Sequence, residues 1–235
     1  MPRLSRRATR HIGSIFIASI IVCIGVYQSQ QLHAEQTSSI VIKQQAINNS
    51  PAAVALAQLE IKGRAAKTGY NRGQFSQGWG DIKNCDVRNY ILTRDLIDIT
   101  LVPHTCKVAT GTLIDPYTAL TILFVRGPGT SDDIQIDHVV SLSDAWQKGA
   151  QSLSPLDRYE LANDPLNLLA VQGDANQTKG DGDAATWLPA NKTYRCSYIA
   201  RQIAVKTKYH LWVTMAEYQA MERVLTICPD QKLPS

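Results

Sequence analysis

The chain has 235 residues, with 24 Lys and Arg against 20 Asp and Glu and a formal charge of +4. Four of the basic residues, Arg3, Arg6, Arg7 and Arg10, fall in the first 34 positions, which hold no acidic residue. Without that segment the charges balance, so net charge supports no partner class, nucleic acid included, and only local clustering of charge does.

The first segment reads as a targeting signal. Arg3 to Arg10 precede an uncharged apolar run from Ile12 to Tyr27, a polar stretch from Gln28 to Gln31 and a cut expected after Ala34, the layout of a secretory signal peptide over 1–34. The run is at the short end of the roughly 17 to 25 residues of a membrane span, and Leu32 is bulky for its place before the cut, so an uncleaved N-terminal anchor is the alternative. Residues 35–51, rich in Gln, Ser and Asn, predict a flexible leader. About 200 residues remain, enough for one well-cored domain over 52–235.

Helix formers with Val54, Leu56, Leu59 and Ile61 predict a helix over Ala52 to Ala66, ahead of the turn at Thr68 and Gly69. Asp86 to Thr100 is amphipathic, but its pattern does not decide between helix and strand. Lys107 to Thr112 and Ala119 to Val125 are rich in β-branched residues and flank Asp115-Pro116, which predicts two strands joined by a turn. Ile134 to Val140 reads as a third strand. Two short helices are expected between Ser143 and Ala162, one starting at Ser154-Pro155. Residues 195–206 and 214–226 predict a closing helical pair, the second opening with Thr214 and Glu217 in capping-box spacing.

Cys23 lies in the targeting segment. The other four, Cys85, Cys106, Cys196 and Cys228, are an even set that suggests two disulfides in an exported chain. No C-x-x-C spacing occurs, which argues against a structural zinc site. Sequence neighbours give the simplest pairing, Cys85 with Cys106 and Cys196 with Cys228, among three connectivities.

Asp137 and His138 end the third strand. A carboxylate suits a hard cation and an imidazole can take a proton from water, although such a dipeptide is weak evidence alone. Downstream come Asn167-Leu168-Leu169 and then Asn176-Gln177-Thr178-Lys179. Asp-His after an apolar strand, then Asn-Leu-Leu, then Asn-x-x-Lys, resembles the HNH (ββα-metal) nuclease superfamily, in particular the branch that includes the C-terminal nuclease domain of GmrSD-type restriction enzymes. The likeness runs from about Leu59 to Cys228.

The resemblance implies an α+β fold: a small antiparallel sheet with a ββα-metal core, surrounded by helices and stapled by the disulfides. It makes His138 the general base, Asp137 and Asn176 the metal ligands, and Asn167 the brace of the loop between strand and helix. Asn176 stands where many members have histidine. Its amide oxygen beside Asp137 favours Mg²⁺ or Mn²⁺ over zinc. Lys179, one turn beyond Asn176, is a candidate phosphate contact, while Asp181 and Asp183 read as turn residues first and secondary ligands second.

From Asn191 to Ala216 stand five basic residues and no acidic one. Lys192, Arg195, Arg201, Lys206 and Lys208 are therefore candidate nucleic-acid contacts, with Tyr194, Tyr198, Tyr209 and Trp212 as stacking partners. Arg88, Arg94 and Arg126 are further candidates. The expected function is an exported, metal-dependent endonuclease acting on DNA, or on RNA, with low sequence specificity. It is expected to be a monomer with no stable membrane association once the signal is removed, and the sequence names no immunity or inhibitor partner. Two alternatives stand beside it. One is a nucleic-acid-binding module that does not cut. The other is a hydrolase using Ser141 or Ser143 as nucleophile, which lacks the expected G-x-S-x-G elbow.

Overall fold

The computed structural model describes residues 27–32 and 50–234; the expected apolar run before Tyr27 and most of the leader lie outside them. Residues 27–32 are helical and belong to a unit separate from residues 47–235. No helix of the described residues is long and apolar enough to cross a membrane.

Helix α1 (Pro51–Gln58) begins at the N-cap Ser50, whose hydroxyl accepts from the Ala53 amide, and buries Ala52, Ala55 and Leu56. It is shorter than the expected 52–66 helix. Beyond Leu59 the chain is extended, Ile61 bridges in parallel to Val213, and the Lys62 backbone amide donates to the Val213 carbonyl, so tertiary pairing overrides local helix propensity.

The undecided stretch 86–100 contains both kinds of element. A short hairpin, β1 (Asp81–Ile82) and β2 (Cys85–Asp86), leads into α2 (Val87–Asp95), capped by Asp86 accepting from the Asn89 amide at 2.8 Å. Strand β3 (Ile97–Leu101) follows and pairs antiparallel with β4 (Val108–Ile114), which pairs antiparallel with β5 (Thr121–Val125). The Asp115-Pro116 turn between β4 and β5 is present, with Asp115 accepting from the Thr118 amide. The buried face of this sheet, with Val108, Leu113 and Phe124, packs on Val87, Ile91 and Leu92 of α2.

Strand β6 (Ile134–His138) pairs antiparallel with β7 (Leu168–Gln172), placing Asp137 opposite Leu169 and His138 opposite Leu168. Periodicity assigns no element to β7, because its first four residues are buried on both faces and show no alternation. Between the two strands lie α3 (Leu142–Gln147), capped by Ser141, and α4 (Pro155–Asn163), capped by Ser154 with proline in its first turn. Helix α5 (Gly173–Lys179) follows β7 without a loop. A side chain at Gly173 would collide with the Asp132 carbonyl, so glycine is what permits this close junction.

The chain closes with α6 (Arg195–Lys208) and α7 (Met215–Leu225). Tyr198, Ile199 and Ile203 of α6 and Met221 and Leu225 of α7 share a core with α1, Val139, Leu169 and Val171. Disulfides join Cys85 to Cys106 and Cys196 to Cys228, the pairing expected from sequence. The fold is thus α+β, with small antiparallel sheets, surrounding helices and two disulfide staples.

Candidate active site

Successive side chains of a strand point to opposite faces, and β6 separates Asp137 from His138 in this way. Ile134 and Ile136 pack with Leu168 and Ala170 against α2, while Val139, Leu169 and Val171 pack toward α6. The two adjacent residues therefore meet different surroundings.

His138 is buried except for an edge lining a cleft of about 320 Å³, whose other walls include Arg72, Ser76, Trp79, Leu142 and Ala162. Its Nε2 lies 2.9 Å from the Ala162 carbonyl oxygen. A carbonyl only accepts, so Nε2 carries the proton and Nδ1 is left with a free lone pair in the neutral ring. The Trp79 indole lies nearly parallel to the imidazole, at 10° and 6.1 Å between centroids. Burial first, then the positive charge of Arg72, push the pKa of His138 down to about 3, so the imidazole is neutral at physiological pH.

Asn167 holds the loop behind this histidine. Fully buried, its side-chain oxygen accepts from the Val140 amide at 2.8 Å, and its amide nitrogen donates to the carbonyls of Val140 and Leu161. The backbone after β6 is thereby tied to the end of α4, one residue from the Ala162 carbonyl that orients His138.

On the opposite face the Asp137 carboxylate is enclosed. Oδ1 accepts from the Lys179 ammonium at 2.9 Å and Oδ2 from the Tyr117 hydroxyl at 2.5 Å, while Lys179 also donates to the His138 carbonyl at 2.9 Å. Burial raises the pKa of Asp137 above the ordinary carboxylate range, and Lys179 and Tyr117 pull it back. Asn176 is half-buried and donates to the Gln135 side chain at 2.9 Å. Asp137, His138 and Asn176 are thus not brought together around one space. Both Asp137 oxygens are occupied, by an ammonium and a hydroxyl, and the described residues include no group of three or more His, Cys, Asp or Glu suited to a metal ion. As arranged, these residues do not fit a divalent cation.

Several expected nucleic-acid contacts are interior instead. Lys179 is 3% exposed and spent on Asp137. Lys206 is fully buried with Lys148 in a cluster with Asp144, Asp183 and Glu217. Arg64 reaches Asp144 and Asp183 from the rim, so three cations face three carboxylates. A buried charge needs a partner, which is why these lysines and Asp183 are not free for phosphate or metal. Against the upward pull of burial, Lys148 and Arg64 hold Asp183 down to about 2. Glu217 is drawn into the same cluster, although Thr214 still caps α7 by accepting from its amide.

Other basic side chains are committed to backbone. Arg195 donates to Pro189 and Arg201 to Leu168, as do Arg88 to Ser131, Arg94 to Pro165 and Leu168, and Arg126 to Val108. Lys192 is exposed, and Lys208 is exposed with Asp164 at 2.7 Å. Tyr198 and Tyr209 are core residues, and Trp212 donates to the Gly63 carbonyl. Asp181 accepts from Ser143 and Lys67. Sequence reasoning misses Tyr117, which folding brings to Asp137, and Arg72, which folding brings to the His138 cleft; neither stands in a motif with its neighbour.

A family model for the C-terminal domain of GmrSD restriction endonucleases matches residues 86–224. The chain is 35% identical over 182 residues to a protein of Arthroderma benhamiae described as an uncharacterized secreted protein, covering 76% of this chain and 85% of that one. No solved structure matches.

Proposed function

The chain belongs to the family of the C-terminal domain of GmrSD restriction endonucleases, and we propose that it is an exported endonuclease hydrolysing phosphodiester bonds with His138 as general base. The observation that carries this reading is the oriented imidazole: Nε2 is tied to the Ala162 carbonyl, and the ring edge lines an open cleft. Nδ1 takes a proton from water as the water oxygen bonds to phosphorus. The bond from phosphorus to the departing 3′ oxygen breaks, and solvent protonates that oxygen. A phosphate entering beside Arg72 offsets its charge and raises the proton affinity of His138 when it is needed.

DNA is the expected substrate, with RNA the alternative and low sequence specificity in both cases. The family pattern implies a divalent cation, Mg²⁺ before Mn²⁺ and Zn²⁺, which Asp137 and Asn176 would hold only if the Asp137 carboxylate gave up Lys179 or Tyr117. That cation enters none of the steps above. Two disulfides suit an oxidising compartment, and the Arthroderma benhamiae relative is described as secreted, which together support export.

One observation favours a second reading, a nucleic-acid-binding module without cleavage: the Asp137 carboxylate is already neutralised by Lys179. Digestion of plasmid, single-stranded DNA and RNA with Mg²⁺, Mn²⁺, Ca²⁺, Zn²⁺ or EDTA separates the two. Cleavage is expected; binding without cleavage under every condition would make the chain the binding module.

A further inference from the structure

We propose that the loop from Arg72 to Trp79 is the substrate wall of the His138 cleft, with Arg72 gripping a phosphate and Trp79 stacking an unpaired base, which selects single-stranded nucleic acid. The inference rests on His138 being the hydrolytic centre. The loop lies outside residues 86–224, so the family match does not contain it. Yet it supplies Arg72, Gly73, Ser76, Gln77, Gly78 and Trp79 to the cleft, while the matched part supplies His138, Leu142 and Ala162.

The charge in the cleft has one sign. Arg72 is exposed, lines the cleft beside His138, and makes no ion pair among the described residues, and no acidic side chain lines the cleft. In a chain whose interior cations are paired with carboxylates or spent on carbonyls, an exposed guanidinium at the reactive imidazole is suited to a phosphate oxygen.

Trp79 supplies the second contact. It is half-buried and stacked toward His138, and it also lines an adjoining cavity with Pro155 and Tyr159. Tyr159 is 42% exposed. Two aromatic rings along adjoining cavities, next to one cation, match the stacking and backbone grip by which proteins hold single strands. A base in a duplex has both faces covered by its neighbours and cannot offer one to Trp79.

The loop is fixed before any ligand arrives. Phe75 is 2% exposed and packs edge-on against Trp146 at 6.2 Å, Arg158 donates to the Gln74 carbonyl at 2.9 Å, and Asn163 accepts from the Gly80 amide at 2.7 Å. Helix α4 thus holds both ends of the wall that carries Arg72 and Trp79, so little ordering cost falls on binding.

The test measures binding of a labelled oligodeoxythymidylate, and of its duplex with oligodeoxyadenylate, to the full chain carrying His138→Ala, with Arg72→Gln, Trp79→Ala and Trp79→Phe added singly. Trp79→Ala is expected to weaken single-strand binding about 10- to 100-fold and Trp79→Phe to retain most of it. Arg72→Gln, at an exposed position, is expected to lower the slope of log affinity against log salt by about 0.7. Unchanged single-strand affinity and salt slope in both the Arg72 and Trp79 variants, or tighter binding of the duplex by the parent, would overturn the proposal. Retained cleavage by His138→Ala alone would instead sink the hydrolytic reading.

Discussion

The Lys179 ammonium lies 2.9 Å from Oδ1 of Asp137, both groups are buried, and the same nitrogen reaches the His138 carbonyl. One side chain from the end of α5 therefore neutralises the carboxylate on one face of β6 and fixes the backbone of the residue whose imidazole opens on the other. The two strand residues are coupled although their side chains point apart.

Removing that ammonium leaves a buried carboxylate with only the Tyr117 hydroxyl. Lys179→Met is expected to cost about 3 to 5 kcal/mol, the range for breaking a buried pair from one side. At roughly 2 to 4 °C per kcal/mol for a domain of this size, Tm falls by about 10 °C. Thermal unfolding measures this. Asp137→Asn together with Lys179→Met, which removes both charges, is expected to recover part of the loss, whereas an unchanged Tm in Lys179→Met would mean that the pair does not form.

Asn167→Ala strips the Val140 amide, the Val140 carbonyl and the Leu161 carbonyl of a buried partner at once. Each orphaned group costs about 1 to 3 kcal/mol where water cannot reach it. An unfolding free energy lowered by several kcal/mol in urea titration is expected, with nuclease activity lost in the fraction that still folds. A variant with parental stability would deny the brace.

His138 also gives the stability a pH dependence of definite sign. Its folded pKa is depressed to about 3. Below its unfolded value of about 6.5 the unfolded chain binds a proton that the folded chain refuses. Stability from this group is therefore full above about 6.5 and lost as the pH falls toward 3, at about 1.4 kcal/mol per unit. Urea unfolding between about pH 7 and pH 4 is expected to be flatter in His138→Gln by that amount; parallel curves would place the folded pKa near its ordinary value.

The disulfides close loops of 21 and 32 residues in sequence separation. By the loop-entropy relation each contributes about 3 to 4 kcal/mol. Cys196→Ser with Cys228→Ser is expected to lower Tm slightly more than Cys85→Ser with Cys106→Ser, as calorimetry would show; four titratable thiols in the native protein would contradict both bridges.

Local signals carried much of this into the sequence. Ser154-Pro155 marks α4, Thr214 marks α7, β-branched runs mark β4 and β5, and His138 and Asn167 stand in a motif legible from residue types and their order. The buried pairing of Lys179 and Lys206 leaves no such local signal. A lysine in an amphipathic helix reads as solvated, and the carboxylates that bury these two lie 42 and 62 residues away, at Asp137 and Asp144. Asp183 reads as a turn residue because its partners Lys148 and Arg64 lie 35 and 119 residues away. The loop at Arg72 has neither periodicity nor a motif, and only the packing of Phe75 and Asn163 brings it to His138.

The central claim is that His138 is the base of a hydrolytic site. Its most direct test is the single-turnover cleavage rate of single-stranded DNA by wild type and by His138→Ala under the metal condition that gives most activity. Loss of about 10²- to 10⁴-fold is predicted, the range for a positioned general base, with binding of the strand retained. Equal rates in the two proteins would contradict it.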